Sequence, residues 1–157
     1  MAALAIFLAL VLVTSAAHKL IARDRLVAAT GRLLRVSDGL ALPVTFAAAA
    51  LEAAAALALL IPATRPVGAL LAGGIWLVYA VALLRANDAT DCGCSFGAPK
   101  RGIDPFTRIR PLALAVLAAI AALVPASFDV VAPFAGLGLF AIYIAAGEIA
   151  ATRSLAR

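Results

Sequence analysis

Apolar residues in this chain come in long unbroken runs, without the alternation of a half-buried strand. Residues 1–17 carry no charge, 44–61 carry only Glu52, and 67–84 carry none, with Trp76 and Tyr79 inside the run. A helix rises about 1.5 Å per residue and the hydrocarbon core is about 30 Å thick, so roughly 17 to 25 mostly apolar residues make a spanning helix. Each of the three runs predicts one. Residues 111–124 are fewer, but proline suits a first helical position, and Arg108 and Arg110 are placed to snorkel outward from it. They make a fourth span. Residues 134–151 follow Pro125 and Pro133, carry Glu148 near the end and precede Arg153 and Arg157; they are the fifth.

Between spans the pattern changes. Pro62-Ala63-Thr64-Arg65-Pro66 leaves so little room that the second and third spans must form an antiparallel hairpin. Residues 21–36 place Ile21, Leu26, Val27, Leu33, Leu34 and Val36 among Arg23, Arg25, Arg32 and Arg35, which predicts a basic amphipathic helix on the membrane surface. A solvated basic loop is the alternative. Alanine runs at 47–50 and 53–56 let helices approach closely. The predicted fold is an all-α integral membrane protein: a four-helix transmembrane bundle plus a fifth, C-terminal transmembrane helix, forming one domain over residues 1–157.

Composition supports this picture. Hydrophobic residues make up 66% of the 157 and charged residues 13%, whereas soluble domains are about half apolar and about one quarter charged. A net charge of +5 could suggest nucleic acid, but the basic residues fall in the short segments between spans, as in cytoplasmic loops, so no nucleic-acid partner is expected. Five spans put twelve Lys and Arg on one side and only Arg65 on the other. The positive-inside rule then places the N-terminus outside and the C-terminus in the cytoplasm of a cell inner membrane. Ser15 and Ala17 would suit signal-peptide cleavage, but Lys19 and Arg23 follow the first apolar run and no basic residue precedes it. An uncleaved anchor explains both features.

Candidate chemistry is concentrated in residues 85–107. Both cysteines of the chain lie there, as Asp91-Cys92-Gly93-Cys94-Ser95-Phe96-Gly97. Glycine between two cysteines lets their sulfurs meet, while the small ring is strained and easily reduced. Accessible, reducible disulfides exchange, which points to transfer of two electrons and two protons. Two other readings stand beside this one: small packed cysteines, and a soft-metal or intersubunit metal site, for which the chain supplies few further ligands. Glu52, midway along an apolar run, is either a proton relay and polar hook for the cysteine loop or a protonated carboxyl bonded to a neighbouring helix. His18 ends the first span beside Lys19, where an imidazole can rest at the interface without a chemical role.

The order of these features resembles the MauE family of methylamine-utilisation membrane proteins, which is DoxX-like in architecture. The likeness covers about residues 5–124. It is carried by Ser15-Ala16-Ala17-His18-Lys19-Leu20, Leu51-Glu52, Cys92-Gly93-Cys94-Ser95-Phe96-Gly97 and the basic Thr107-Arg108-Ile109-Arg110. Ser95 stands as an insertion in the family's pattern, and Pro111 replaces a usual asparagine. The resemblance implies a membrane thiol-disulfide protein that works with a periplasmic thioredoxin-like partner, MauD, in maturing an exported disulfide-containing client, the small subunit of methylamine dehydrogenase in the namesake role. It makes Cys92 and Cys94 the redox pair and Glu52 a proton partner. A quinone is the only candidate cofactor, and no metal is expected. Because the charge rule puts the cysteine loop on the cytoplasmic side, residues 90–98 are expected to re-enter the bundle. The alternative functions are a non-catalytic DoxX-like scaffold or assembly factor and, third, a small-molecule transporter.

Overall fold

The computed structural model describes residues 2–86, 105–124 and 130–155. Six helices account for nearly all of them: α1 (Ala2–Ile21), α2 (Arg23–Leu34), α3 (Asp38–Leu60), α4 (Arg65–Arg85), α5 (Pro105–Leu123) and α6 (Ala132–Leu155). All but α2 are long and apolar enough to cross a membrane, so the protein is an all-α, multi-pass membrane bundle. Cys92, Cys94 and the expected re-entry of residues 90–98 lie outside the described residues.

Helix boundaries follow local chemistry. α1 does not stop at Ala17; it continues through His18 and Lys19 to Ile21, carrying both polar side chains along the bundle. After Ala22 the chain turns into α2, whose Leu26 and Ala29 are buried while Arg23, Asp24 and Arg32 are exposed. Arg35 closes α2 in the left-handed conformation, with φ 54°. This segment is tied down by Thr30, whose Oγ1 lies 3.0 Å from Oγ1 of buried Thr45 on α3.

The start of α5 corrects one expectation. Pro105, not Pro111, occupies the first position, and Pro111 sits inside the helix and is buried. Proline tolerates the first position because that N–H has no intrahelical partner. At position 111 it removes the N–H that would otherwise bond the Thr107 carbonyl.

The core lies where α1, α3, α4 and α5 meet. Leu8 and Leu12 pack with Ala55 and Leu59, Ala69, Ala72 and Trp76, and Leu114 and Ala118. Alanines at the crossings let backbones approach, so dispersion between closely packed helices replaces the hydrophobic drive that lipid cannot supply. The α3–α4 hairpin is the tightest example: a Cβ on Gly68 would lie 2.6 Å from the Leu59 main-chain nitrogen. Thr64 closes that hairpin by donating to the Ala58 carbonyl at 3.0 Å. Among the described residues α6 packs on α1 and makes no comparable contact with another helix.

Candidate functional site

Among the described residues Glu52 is the most buried ionisable group, with no solvent exposure. An isolated carboxylate in an apolar span would be costly, and the fold compensates with three partners from two other helices. The α1 spacing Ser15–Lys19 is i, i+4, so both side chains reach the same face. Lys19 Nζ donates to Oε1 and Oε2 of Glu52, each at 2.9 Å. Ser15 Oγ donates to Oε1 at 2.9 Å, and Tyr79 Oη on α4 donates to the same oxygen at 2.7 Å. Lys19 also lies over the Tyr79 ring, 5.2 Å from its centroid. The cluster therefore fastens α1, α3 and α4 together.

This geometry limits the chemistry available. Ser15 Oγ accepts a hydrogen bond from Lys19 Nζ at 2.9 Å, a contact that in isolation resembles a nucleophilic Ser–Lys pair. A general base must be a neutral amine, however, and here the ammonium uses all three donors on Ser15 and the two carboxylate oxygens. Lys19 serves as the counter-ion of Glu52. Glu52 is bonded to two neighbouring helices, and one of its partners is Lys19, 33 residues away in the chain.

Beside the cluster lies a cavity of about 200 Å³. Ser15, His18 and Lys19 of α1, Thr30 and Leu33 of α2, Trp76 and Tyr79 of α4, Thr107 and Arg110 of α5, and Phe140 and Tyr143 of α6 are among its lining residues. His18 is thus part of the cavity wall. Arg110 does not snorkel outward: its Nε donates to Tyr143 Oη, and its guanidinium carbon stands 4.1 Å from the centre of that ring. An aromatic face and a hydroxyl together offer the cation an inward alternative to water. Arg108 turns along the helix ends, where its Nη2 donates to the Ala86 carbonyl at 3.5 Å, joining the last turn of α4 to the first turns of α5. The cavity, the ion cluster and these two helix ends occupy the same end of the bundle.

Of the residues singled out from sequence, Glu52 is placed at the centre of the polar network, whereas Cys92 and Cys94 lie outside the described residues. Among the described residues no group of three or more His, Cys, Asp or Glu is placed to hold a metal ion. Tyr79, Arg110 and Tyr143 gained their importance only from the fold. Tyr79 was visible as a polar atom within an apolar run, and Tyr143 in the last span gave the same kind of signal.

Residues 1–125 match the family model described as methylamine utilisation protein MauE. The chain belongs to the MauE family, within the DoxX-like superfamily. No curated protein and no solved structure matches it.

Proposed function

From that membership we propose that the protein is a membrane thiol-disulfide redox protein that supports disulfide formation or maturation of an exported protein. The single observation that carries this reading is that the family match spans both cysteines and the whole Glu52 cluster. In the proposed reaction a client thiolate attacks the Cys92–Cys94 disulfide, forming a mixed disulfide and releasing one cysteine thiolate. The client's second thiolate then displaces the other cysteine, leaving an oxidised client and two reduced cysteines. Two electrons and two protons have moved. An acceptor of the quinone class, reduced to the quinol, would take them in turn and restore the disulfide. Glu52, through the Tyr79 and Ser15 hydroxyls, is the proposed proton partner. A MauD-like thioredoxin-fold protein is the proposed periplasmic partner.

The proposed setting is the inner membrane, N-terminus outside and C-terminus in the cytoplasm, with residues 90–98 entering the bundle so that the cysteines serve a client on the far side. Trapping of Cys92 and Cys94 with a thiol-blocking reagent in native membranes tests the reading. Both the joined and the open forms should be found, and Cys92→Ser with Cys94→Ser should abolish client disulfides while membrane insertion continues. A pair that is always reduced, or always joined, rules the exchange out. So would labelling of Cys94 by impermeant reagent from the cytoplasm alone under every redox condition.

A second reading, a non-catalytic scaffold, is favoured by one feature: Glu52 of α3 is bonded by Ser15 and Lys19 of α1 and by Tyr79 of α4, so the cluster fastens three helices together. Retained function in the doubly substituted protein would select it.

A further inference from the structure

We infer that the cavity beside the Glu52 cluster binds an anionic amphiphile drawn from the bilayer, its acidic head on Arg110 and its hydrocarbon chain leaving between α5 and α6. The inference does not depend on the cysteines.

Charge identifies the head. Lys19 and Glu52 neutralise each other, and Glu52 has no exposed surface to offer a ligand. Arg110 differs: its contacts are the hydroxyl and ring of Tyr143, which orient the guanidinium without cancelling its charge. Among the described residues no carboxylate pairs with it. A half-buried guanidinium in a largely apolar cavity favours an anion over any neutral or cationic ligand, because an acid supplies both the missing charge and two acceptor oxygens for the planar fork. His18 and Thr107 line the same space.

Shape identifies the chain. Arg110 lies five residues past the start of α5, about 7.5 Å along its axis, near one end of the span. Deeper walls are apolar: Val11, Leu114, Phe140 and Ile144. Among the described residues α5 packs on α4 and α6 on α1, while α5 and α6 meet chiefly through Arg110 and Tyr143. The hydrocarbon chain of the ligand is accordingly placed between these two helices. A cation near the end of the span with apolar walls deeper in matches a single-chain acid such as a fatty acid, and matches a free inorganic anion poorly.

Trp76 is the only tryptophan in the chain and lines the cavity, so its fluorescence reports occupancy directly. With the full-length protein in neutral detergent, dibrominated stearate should quench Trp76 saturably, and unbrominated stearate should reverse the quenching. The brominated alcohol and amine of the same chain length should bind at least about tenfold more weakly, as expected for loss of a charge-assisted contact. Excess acetate should not displace the acid. Arg110→Gln should weaken stearate by a similar factor, and Arg110→Lys should restore much of it. Equal quenching by acid, alcohol and amine would overturn the proposal, as would displacement by acetate at the concentrations at which stearate works, or by a neutral quinone at lower ones. The headgroup series uses the unaltered protein, so the outcome stands even if an Arg110 variant misfolds. Protein carrying Cys92→Ser and Cys94→Ser should bind stearate unchanged, which separates this site from the proposed redox function.

Discussion

Helix α6 and the rest of the bundle are similar in apolar character but are held in different ways. In its most apolar stretch α1 buries 39% of residues, whereas α6 buries 11%, and Phe134, Leu137, Ile142 and Ile149 remain exposed. The family match stops at residue 125, before α6 begins. In water such a helix would be poorly paid for its order, but in a bilayer its outward face rests against lipid chains as apolar as itself. Two close contacts attach it to α1: a Cβ on Gly136 would fall 2.8 Å from Ile6 Cγ2, and Tyr143 meets Phe7 edge to face, centroids 5.7 Å apart. The contrast separates two tasks. Helices α1, α3, α4 and α5 supply the core and the buried ion pair, while α6 supplies Phe140 and Tyr143 to a cavity that the other helices leave open.

The largest test of this contrast removes the ion pair. Glu52→Ala strands Lys19 in an apolar setting and should cost about 3–5 kcal/mol, measured by equilibrium unfolding in detergent. Glu148→Ala, at an exposed position on α6, should stay within about 0.5 kcal/mol. Lys19→Met combined with Glu52→Leu should recover much of the loss, since no charge is left buried. Similar effects at Glu52 and Glu148 would remove the distinction between core and periphery.

A smaller effect is expected from the two close glycines. Gly68→Ala drives a methyl into the Leu59 backbone and should cost about 1–3 kcal/mol by overpacking. Gly136→Ala meets the Ile6 side chain first, which can shift, so its cost should fall at or below the bottom of that range. Its signature should be local: faster hydrogen exchange in α6 with α3 and α4 unchanged. Global destabilisation by Gly136→Ala exceeding that by Gly68→Ala would show that α6 belongs to the core. Smallest of all, Tyr143→Phe keeps the ring over Arg110 and removes its hydroxyl acceptor. The expected change is about 1 kcal/mol or less, read in the same unfolding assay.

Much of the fold was legible because hydropathy is a property of each residue and sums along a run. The boundaries were less so. Reading Pro111 as a helix start was reasonable from its propensity, but the first turn had already begun at Pro105, and a buried interior proline could not be told from an initiating one without its neighbours. Glu52 stood out at once as a charge in an apolar run, and Lys19 was equally visible at the end of the first. Their pairing was not, because it depends on the register in which α1 and α3 pack. Arg110 shows the same limit. An arginine near a span's end has water and lipid headgroups within reach, and only the position of Tyr143 on another helix turns it inward.

The sequence by itself therefore determined that this is a multi-pass helical membrane protein of the MauE family, since long uncharged runs and local motifs need no partner to be recognised. Tertiary structure alone decided that Ser15, Lys19, Glu52 and Tyr79 form one buried network and that Arg110 faces a cavity completed by α6. Those outcomes rest on helix rotation and register, where a shift of one residue turns a side chain by about 100° and changes which helix it meets.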